Sequence, residues 1–439
     1  MMKKLFLCFL STLAITHFQI HCIEPNTIIG TVLDPNSTLK NPIDIAITSD
    51  NKTAYVVNAS NNTISIIDVP THRVTGIVAD PENTLSTPLA IAITPNNAKA
   101  YITNVGNNTV SILDIATNSI TGIIANGNFA YPADIAITQD GTTAYIPNYN
   151  NDTVSIIDVA TDSVAAMGIV SDPSNTINNP QTITISPDNS IAYAANFNTV
   201  SIITIATNSI AAVGGTISNI FGDDQPFNTI FIPNSPKSYV VNLRDQIIIV
   251  EGTTATFTFS ISSPLNLSIT PDGKTVYVTQ SINTISLVDT QNDTIVKLVS
   301  DPSSSLNTPY SMAITSDGTT GFITNFNGNS VSILFINSVI SPPTELKGYK
   351  TQNIFLDQTD FINVLSWNAP ISGTPPIQYN IYRNDTLTEL AAIVSADELL
   401  QYYDHNRNPA IAYSYYIVSV AADGAISAPS TITITSSSR

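Results

Sequence analysis

From residue 42 onward the chain is written in short alternating runs. "IDIAITSD" (43–50) and "LAIAITPN" (89–96) alternate apolar with small or polar residues, the period of a half-buried strand. An Asp-Gly turn follows at Asp140-Gly141, Asp272-Gly273 and Asp317-Gly318, a strong hairpin signal. "AYVVN" (54–58), "NTVSILDIA" (108–116) and "TNSITGII" (117–124) supply a second, third and fourth strand type. No helical period is present across this region.

The runs repeat in a fixed register. Pro42, Pro88, Pro132, Pro180, Pro226, Pro264 and Pro309 each open a unit. An aromatic follows thirteen residues on (Tyr55, Tyr101, Tyr145, Tyr193, Tyr239, Tyr277, Phe322), and an amide three beyond that (Asn58, Asn104, Asn148, Asn196, Asn242, Gln280, Asn325). Four antiparallel strands at a mean period of about 44 to 45 residues describe a propeller blade, so the pattern predicts seven blades. The aromatic is expected in the core between blades. The amide is expected to cap its turn through local backbone groups; a ring of seven amides around a ligand is the functional alternative.

The chain opens this region with a displaced piece. "NTIIGTV" (26–32) matches the fourth strand of a unit, whereas unit seven ends at "SVSILFI" (330–336) and runs into Pro342-Pro343. The early segment is therefore predicted to pair with unit seven and close the ring, which removes exposed sheet edges. Unit five departs most from the repeat, with "QIIIVEG" (246–252) as third strand and a shortened period that leaves its outer strand open.

"YVVN" (55–58), "YITN" (101–104), "YIPN" (145–148) and "FITN" (322–325) resemble the YVTN-type β-propeller repeat of bacterial and archaeal surface and secreted proteins. The resemblance covers roughly residues 26–340 and implies a seven-bladed propeller; it carries over no catalytic residue. After Pro343 the texture changes. "VLSWNAP" (364–370), "YNIYRN" (379–384) and "AYSYYIVSVAADG" (412–424) resemble a fibronectin type III module over about 342–435. Trp367 is then the expected core aromatic on the second strand and Tyr413 the candidate tyrosine corner. The expected organisation is a signal peptide at 1–22, a propeller at 23–341 and a fibronectin type III-like domain at 342–439.

Composition adds the compartment. Lys3 and Lys4 precede an apolar run to about Ile15, too short to span a bilayer, which predicts export. Cys22 raises lipidation, although "QIHC" lacks the usual small residue before it. No later segment predicts a transmembrane helix. Both cysteines, Cys8 and Cys22, lie in or beside this leader, so the rest of the chain has no disulfide or thiolate chemistry. The net charge of −18 argues against nucleic acid and anionic lipid. Charged residues make up only 11%, against about 25% in an ordinary soluble domain; Asn, Thr and Ser replace them, as suits an exported surface.

Candidate chemistry is sparse. Beyond the leader only His72 and His405 remain, and both read as solvated loop residues, so neither a His-rich metal site nor a catalytic triad is expected. The recurring Asp-Pro places Asp34, Asp80, Asp172 and Asp301 in equivalent loops. They read as turn starters, with a face that binds cations or a basic partner as the alternative. Sequons at Asn61, Asn107 and Asn151 come with the repeat's turn chemistry. The channel-lining first strands offer mainly Ile, Ala, Thr and Ser, with Asp44 and Asp134 as exceptions. No catalytic, cofactor or metal residues are assigned. The sequence predicts a monomeric, exported, non-enzymatic binding protein for an unknown protein or glycan partner. A surface-layer component and a lactonase-type hydrolase are the alternatives.

Overall fold

The structure, a computed structural model, describes residues 25–211, 215–217, 225–337, 342–354, 359–370, 376–383, 389–421 and 426–435. The expected signal peptide and Cys22 lie outside them, as does the proposed domain boundary at residue 341. Among the described residues the chain is all-β apart from one 3₁₀ turn, Ile205–Thr207, and no helix is long and apolar enough to cross a membrane.

Between Thr27 and Phe335 the described strands form seven antiparallel sheets. Sheet one runs Pro42–Ile47, Thr53–Asn58, Thr63–Asp68, Arg73–Ile77, in chain order from its inner to its outer edge. Sheets two to seven repeat the plan, their inner strands opening at Pro88, Ala136, Thr182, Pro226, Pro264 and Pro309. Sheet four has a divided outer edge, with Ser209–Ile210 and Thr216–Ile217 both pairing with Val200–Thr204. In sheet five, where the repeat departs most, Thr254–Ser260 completes the plan. Each inner strand lies against the next, and that of sheet seven against that of sheet one, so the array is a closed, β-propeller-like ring.

The closing strand is the one read from the sequence. Thr27–Thr31 pairs antiparallel with Ser330–Phe335 and is the outer strand of sheet seven. Ile28 is buried with Tyr277, Leu287 and Leu334, and Val32 with Ile45, Val331 and Ile333. The seam is thus packed as the other joints are.

Two devices join neighbouring sheets. The repeat tyrosine is fully buried, and its hydroxyl reaches the turn between strands three and four of the next sheet: Tyr55 to Asn118, Tyr101 to Asp162, Tyr145 to Asn208, Tyr239 to Asp293. Tyr277 uses Asn26 in the same way, so the residue before the closing strand stands where the other turns place theirs. These turn residues have positive φ (Asn26, His72, Asn118, Asp162, Asn208, Asp293, with Gly252 in sheet five), which suits Asn, Asp and Gly. The second device is the amide. Asn58, Asn104 and Asn325 donate to Ser65, Ser111 and Ser332 on the third strand, and accept the N–H of Lys40, Ser86 and Asn307, eighteen residues earlier. The amide therefore clasps a preceding loop as well as its own turn, a wider reach than local capping.

Residues 344–434 form two further sheets: Thr344–Ile354, Thr359–Asn368 and Gln401–Asp404 in one; Leu390–Ser395, Gln378–Tyr382, Tyr413–Val420 and Ser430–Ile434 in the other. Leu365 and Trp367 from the first meet Tyr379, Ile381, Tyr415 and Ile417 from the second. Trp367 is buried on the second strand, edge-on to Tyr379 with ring centroids 5.5 Å apart. The Tyr413 hydroxyl accepts the Asn408 N–H at 3.2 Å, a bond back to upstream backbone.

Candidate functional site at the ring axis

The residue two places after each repeat proline faces the axis: Asp44, Ala90, Asp134, Thr182, Asn228, Asn266 and Ser311, one from each sheet. Together they line a cavity of about 540 Å³, within the usual range for small-molecule sites. Side chains at this level also tie the sheets together. Asp44 accepts N–H bonds from Ile45 and from Ile91 of sheet two, both 2.9 Å, and the Ser311 hydroxyl of sheet seven at 2.8 Å. Asp134 accepts from Ile135 (2.8 Å) and from Ile183 of sheet four (2.9 Å). Thr182 donates to the Phe227 carbonyl of sheet five. Both acids foreseen on the channel are there, and they double as clamps between sheets.

The aromatic wall was not foreseen. Phe227 and Tyr310 come from the inner strands, and Tyr131 and Tyr149 from the rim of sheet three. Tyr131 precedes its proline at φ 57°, a conformation unfavourable for a bulky side chain and for the residue before proline. Five of the other six units place Asn41, Thr87, Asn179, Ser263 and Thr308 there, also at positive φ; unit five has Gln225, which is not. A repeat-wide clasp holds it: Tyr131 N–H donates to Asn108 at 2.8 Å, as Thr87 N–H does to Asn62 and Thr308 N–H to Asn283. The scaffold imposes the backbone, and unit three alone spends the position on an aromatic ring. That ring is 40% exposed and meets Tyr149 at 5.7 Å and a tilt of 56°. The same unit lacks the Asp-Pro loop, and its buried Asn148 Oδ1 finds no protein partner. The signal that could have found this site is departure from the repeat, since repetition marks architecture.

Burial pushes the Asp44 carboxyl up to about 6, against lowering by the Ile91 N–H, the Ser311 hydroxyl and the Ile45 N–H. Burial likewise pushes Asp134 up to about 7, helped by the negative charge of Asp44 and opposed by the Ile183 and Ile135 N–H groups. The cavity lining contains no Lys, Arg or His, and its other titratable groups are Tyr131, Tyr149 and Tyr310. An acid whose folded pKa exceeds its unfolded value binds more protons when folded, so stability falls as pH rises through the window between them. For these two the window runs from about 4 to about 7. Raising pH from 5 to 8 should therefore cost the ring up to roughly 4 kcal/mol, the larger part from Asp134. Asp134→Asn should remove more than half of that dependence in tyrosine near-UV circular dichroism melts; an unchanged slope would refute the assignment.

The remaining sequence candidates lie elsewhere. The carboxylates of Asp34, Asp80, Asp172 and Asp301 turn inward on their own loops, accepting the N–H of Leu39, Leu85, Ile177 and Leu306 at 2.8–2.9 Å. Their carbonyls accept the N–H three residues on, the expected proline turn. Among the described residues no group of three or more His, Cys, Asp and Glu could hold a metal ion. The sequon asparagines donate to loop carbonyls, Asn61 to Thr38, Asn107 to Thr84 and Asn151 to Asn128. His72 is not a solvated turn residue. It is half-buried, lies 5.7 Å edge-on from Phe322, and burial lowers its pKa. At the seam between sheets seven and one this ring pair replaces the tyrosine–turn bond. His405, more exposed, pairs with Asp360 at 2.6 Å.

No family model matches the chain, and no curated protein matches it. Among solved structures, Kuenenia stuttgartiensis hydrazine synthase is similar, with a TM-score of 0.58 and 20% identity over 71% of this chain and 99% of that one. At that identity the likeness concerns the fold alone, and it agrees with a β-propeller-like ring.

Proposed function

We propose that the protein is an exported, non-enzymatic binding protein. On this reading the seven sheets are blades of a YVTN-type propeller that presents its axial cavity and rim to a protein or glycan partner. Residues 342–439 are a fibronectin type III-like spacer or adhesive module, and the molecule is a monomer. The observation that carries the reading is the axial cavity, where aromatic rings and neutral amides surround two carboxylates already engaged by backbone N–H groups. Such a lining can grip a ligand. Its one hydroxyl–carboxylate contact, Ser311 to Asp44 at 2.8 Å, has no His or Lys beside it in the lining to complete a hydrolase's catalytic set. The two-sheet module, with buried Trp367 and the Tyr413–Asn408 bond, supports the second part.

The test uses the full chain on two panels. Lactones and esters should show no turnover above background, and an array of glycans and surface proteins should show binding that Tyr131→Ala weakens. Turnover lost on Asp134→Asn would reverse the conclusion.

A further inference from the structure

The cavity's chemistry narrows what it takes, if the axial cavity is the binding site as read above. Its lining brings four aromatic rings, Tyr131, Tyr149, Phe227 and Tyr310, to a space that also holds Asp44 and Asp134. No cationic side chain lines it, so both carboxylates lack an ionic partner there. An anionic ligand would meet two carboxylates and no cationic side chain. A neutral ligand would leave the ionised carboxylates balanced only by backbone N–H groups and the Ser311 hydroxyl, with no opposite charge, which is costly. An organic cation answers both features, since ring faces attract it and the carboxylates balance it. The Tyr131–Tyr149 pair, tilted by 56° at 5.7 Å rather than stacked face to face, forms an aromatic corner in the lining. Tyr131 is held there at a backbone geometry that five of the other six units fill with Asn, Thr or Ser.

We propose that the axial cavity binds a small organic ammonium compound, seated on the Tyr131–Tyr149 corner with Asp44 and Asp134 as counter-charges. The volume of about 540 Å³ suits a compact molecule. Free alkylamines and quaternary ammonium compounds share this chemistry, and the experiment separates them.

Titration calorimetry of the full chain at pH 8 would use choline, butylammonium, 3,3-dimethylbutan-1-ol (the uncharged isostere of choline) and glucose. One of the two cations should bind at least roughly tenfold more tightly than the isostere, the size expected of a desolvated cation–π contact. Which cation wins identifies the source. Binding should weaken as pH falls from 8 to 5 and the carboxylates take up protons. Tyr131→Asn installs the residue that units one and four carry there. It should keep the fold, with an unchanged or higher melting temperature, and lose roughly tenfold in affinity. Asp134→Asn should lose a similar factor. Equal binding of choline and its isostere, or cation binding insensitive to Tyr131→Asn, overturns the proposal. Glucose binding lost on Tyr131→Asn, without cation binding, overturns it while leaving the cavity as the binding site. If no probe binds and the glycan or protein binding found on the array ignores Tyr131→Ala, the cavity reading falls as well.

Discussion

Deleting residues 26–33 should unfold the ring or leave it open, while the C-terminal module stays folded. The segment supplies the outer strand of sheet seven along Ser330–Phe335 and buries Ile28 and Val32 in two inter-sheet cores. It also bonds outside its own sheet. Ile28 N–H donates to the Ser300 carbonyl at 2.7 Å, Ser300 N–H to Asn26 at 3.0 Å, and Leu33 exchanges backbone bonds with His72 and Val74 at 2.9 Å. Two buried apolar side chains at about 1.5–3 kcal/mol each and several hydrogen bonds near 1 kcal/mol each sum to roughly 8 kcal/mol. That is comparable with the whole stability of an ordinary domain. The deletion also bares the Ser330–Phe335 edge to other chains. Tyrosine near-UV circular dichroism should show the ring transition lost or moved far down in temperature. Trp367, the only tryptophan and part of the other module, should report an unchanged transition. Added peptide 26–33 should restore part of the loss by strand addition. A deletion variant that melts within a few degrees of the parent would show that the ring does not depend on this strand.

Arg383→Met should destabilise the C-terminal module by about 3–5 kcal/mol, because it strands a buried charge. Asp404 has a side chain only 3% exposed and receives Arg383 Nε at 3.0 Å and Nη2 at 3.2 Å. Tyr415 donates to it at 2.6 Å, and Asn363 donates in turn to the Tyr415 oxygen at 2.8 Å. The carboxylate raises the pKa of Arg383, and burial together with the same carboxylate raises that of Tyr415, so both partners stay protonated. Removing the guanidinium leaves Asp404 with hydroxyl donors and the more distant Arg407 at 3.5 Å. The double variant Arg383→Met/Asp404→Leu should recover part of the loss, since replacing both members of a buried pair costs less than orphaning one. Urea unfolding followed by Trp367 fluorescence reads this module alone; a loss below about 1 kcal/mol would mean that Arg407 substitutes for Arg383.

Within the ring, strand order, the register of the repeat and the closing strand were legible because each is carried by local alternation and by spacing. A one-residue slip would invert every buried position. The sheet-to-sheet bonds were half legible. Where the turn residue reached by the tyrosine is Asp162 or Asp293, a lysine stands two places before that tyrosine, at Lys99 and Lys237, and pairs with it. Where the turn residue is Asn118, Asn208 or Asn26, that place holds Thr53, Thr143 or Thr275. The exchange is written in the sequence but means nothing until the two positions, some sixty residues apart or about 250 across the seam at Asn26, are known to touch. His72 was misread for the same reason: its partner Phe322 lies across the closing seam, 250 positions away in the chain.

The sequence by itself determined the repeat, its strands and the closure of its ends, since alternation, turn residues and period are local and recur. It also supplied the two acids of the channel, which stand out against an apolar strand. Only the tertiary structure decided that those acids share a cavity with Tyr131, Tyr149, Phe227 and Tyr310. These rings come from four different strands and loops, and each taken alone reads as ordinary packing. Curvature of the ring gathers them at one axis, and gathering is a property of the closed circle that no single unit contains.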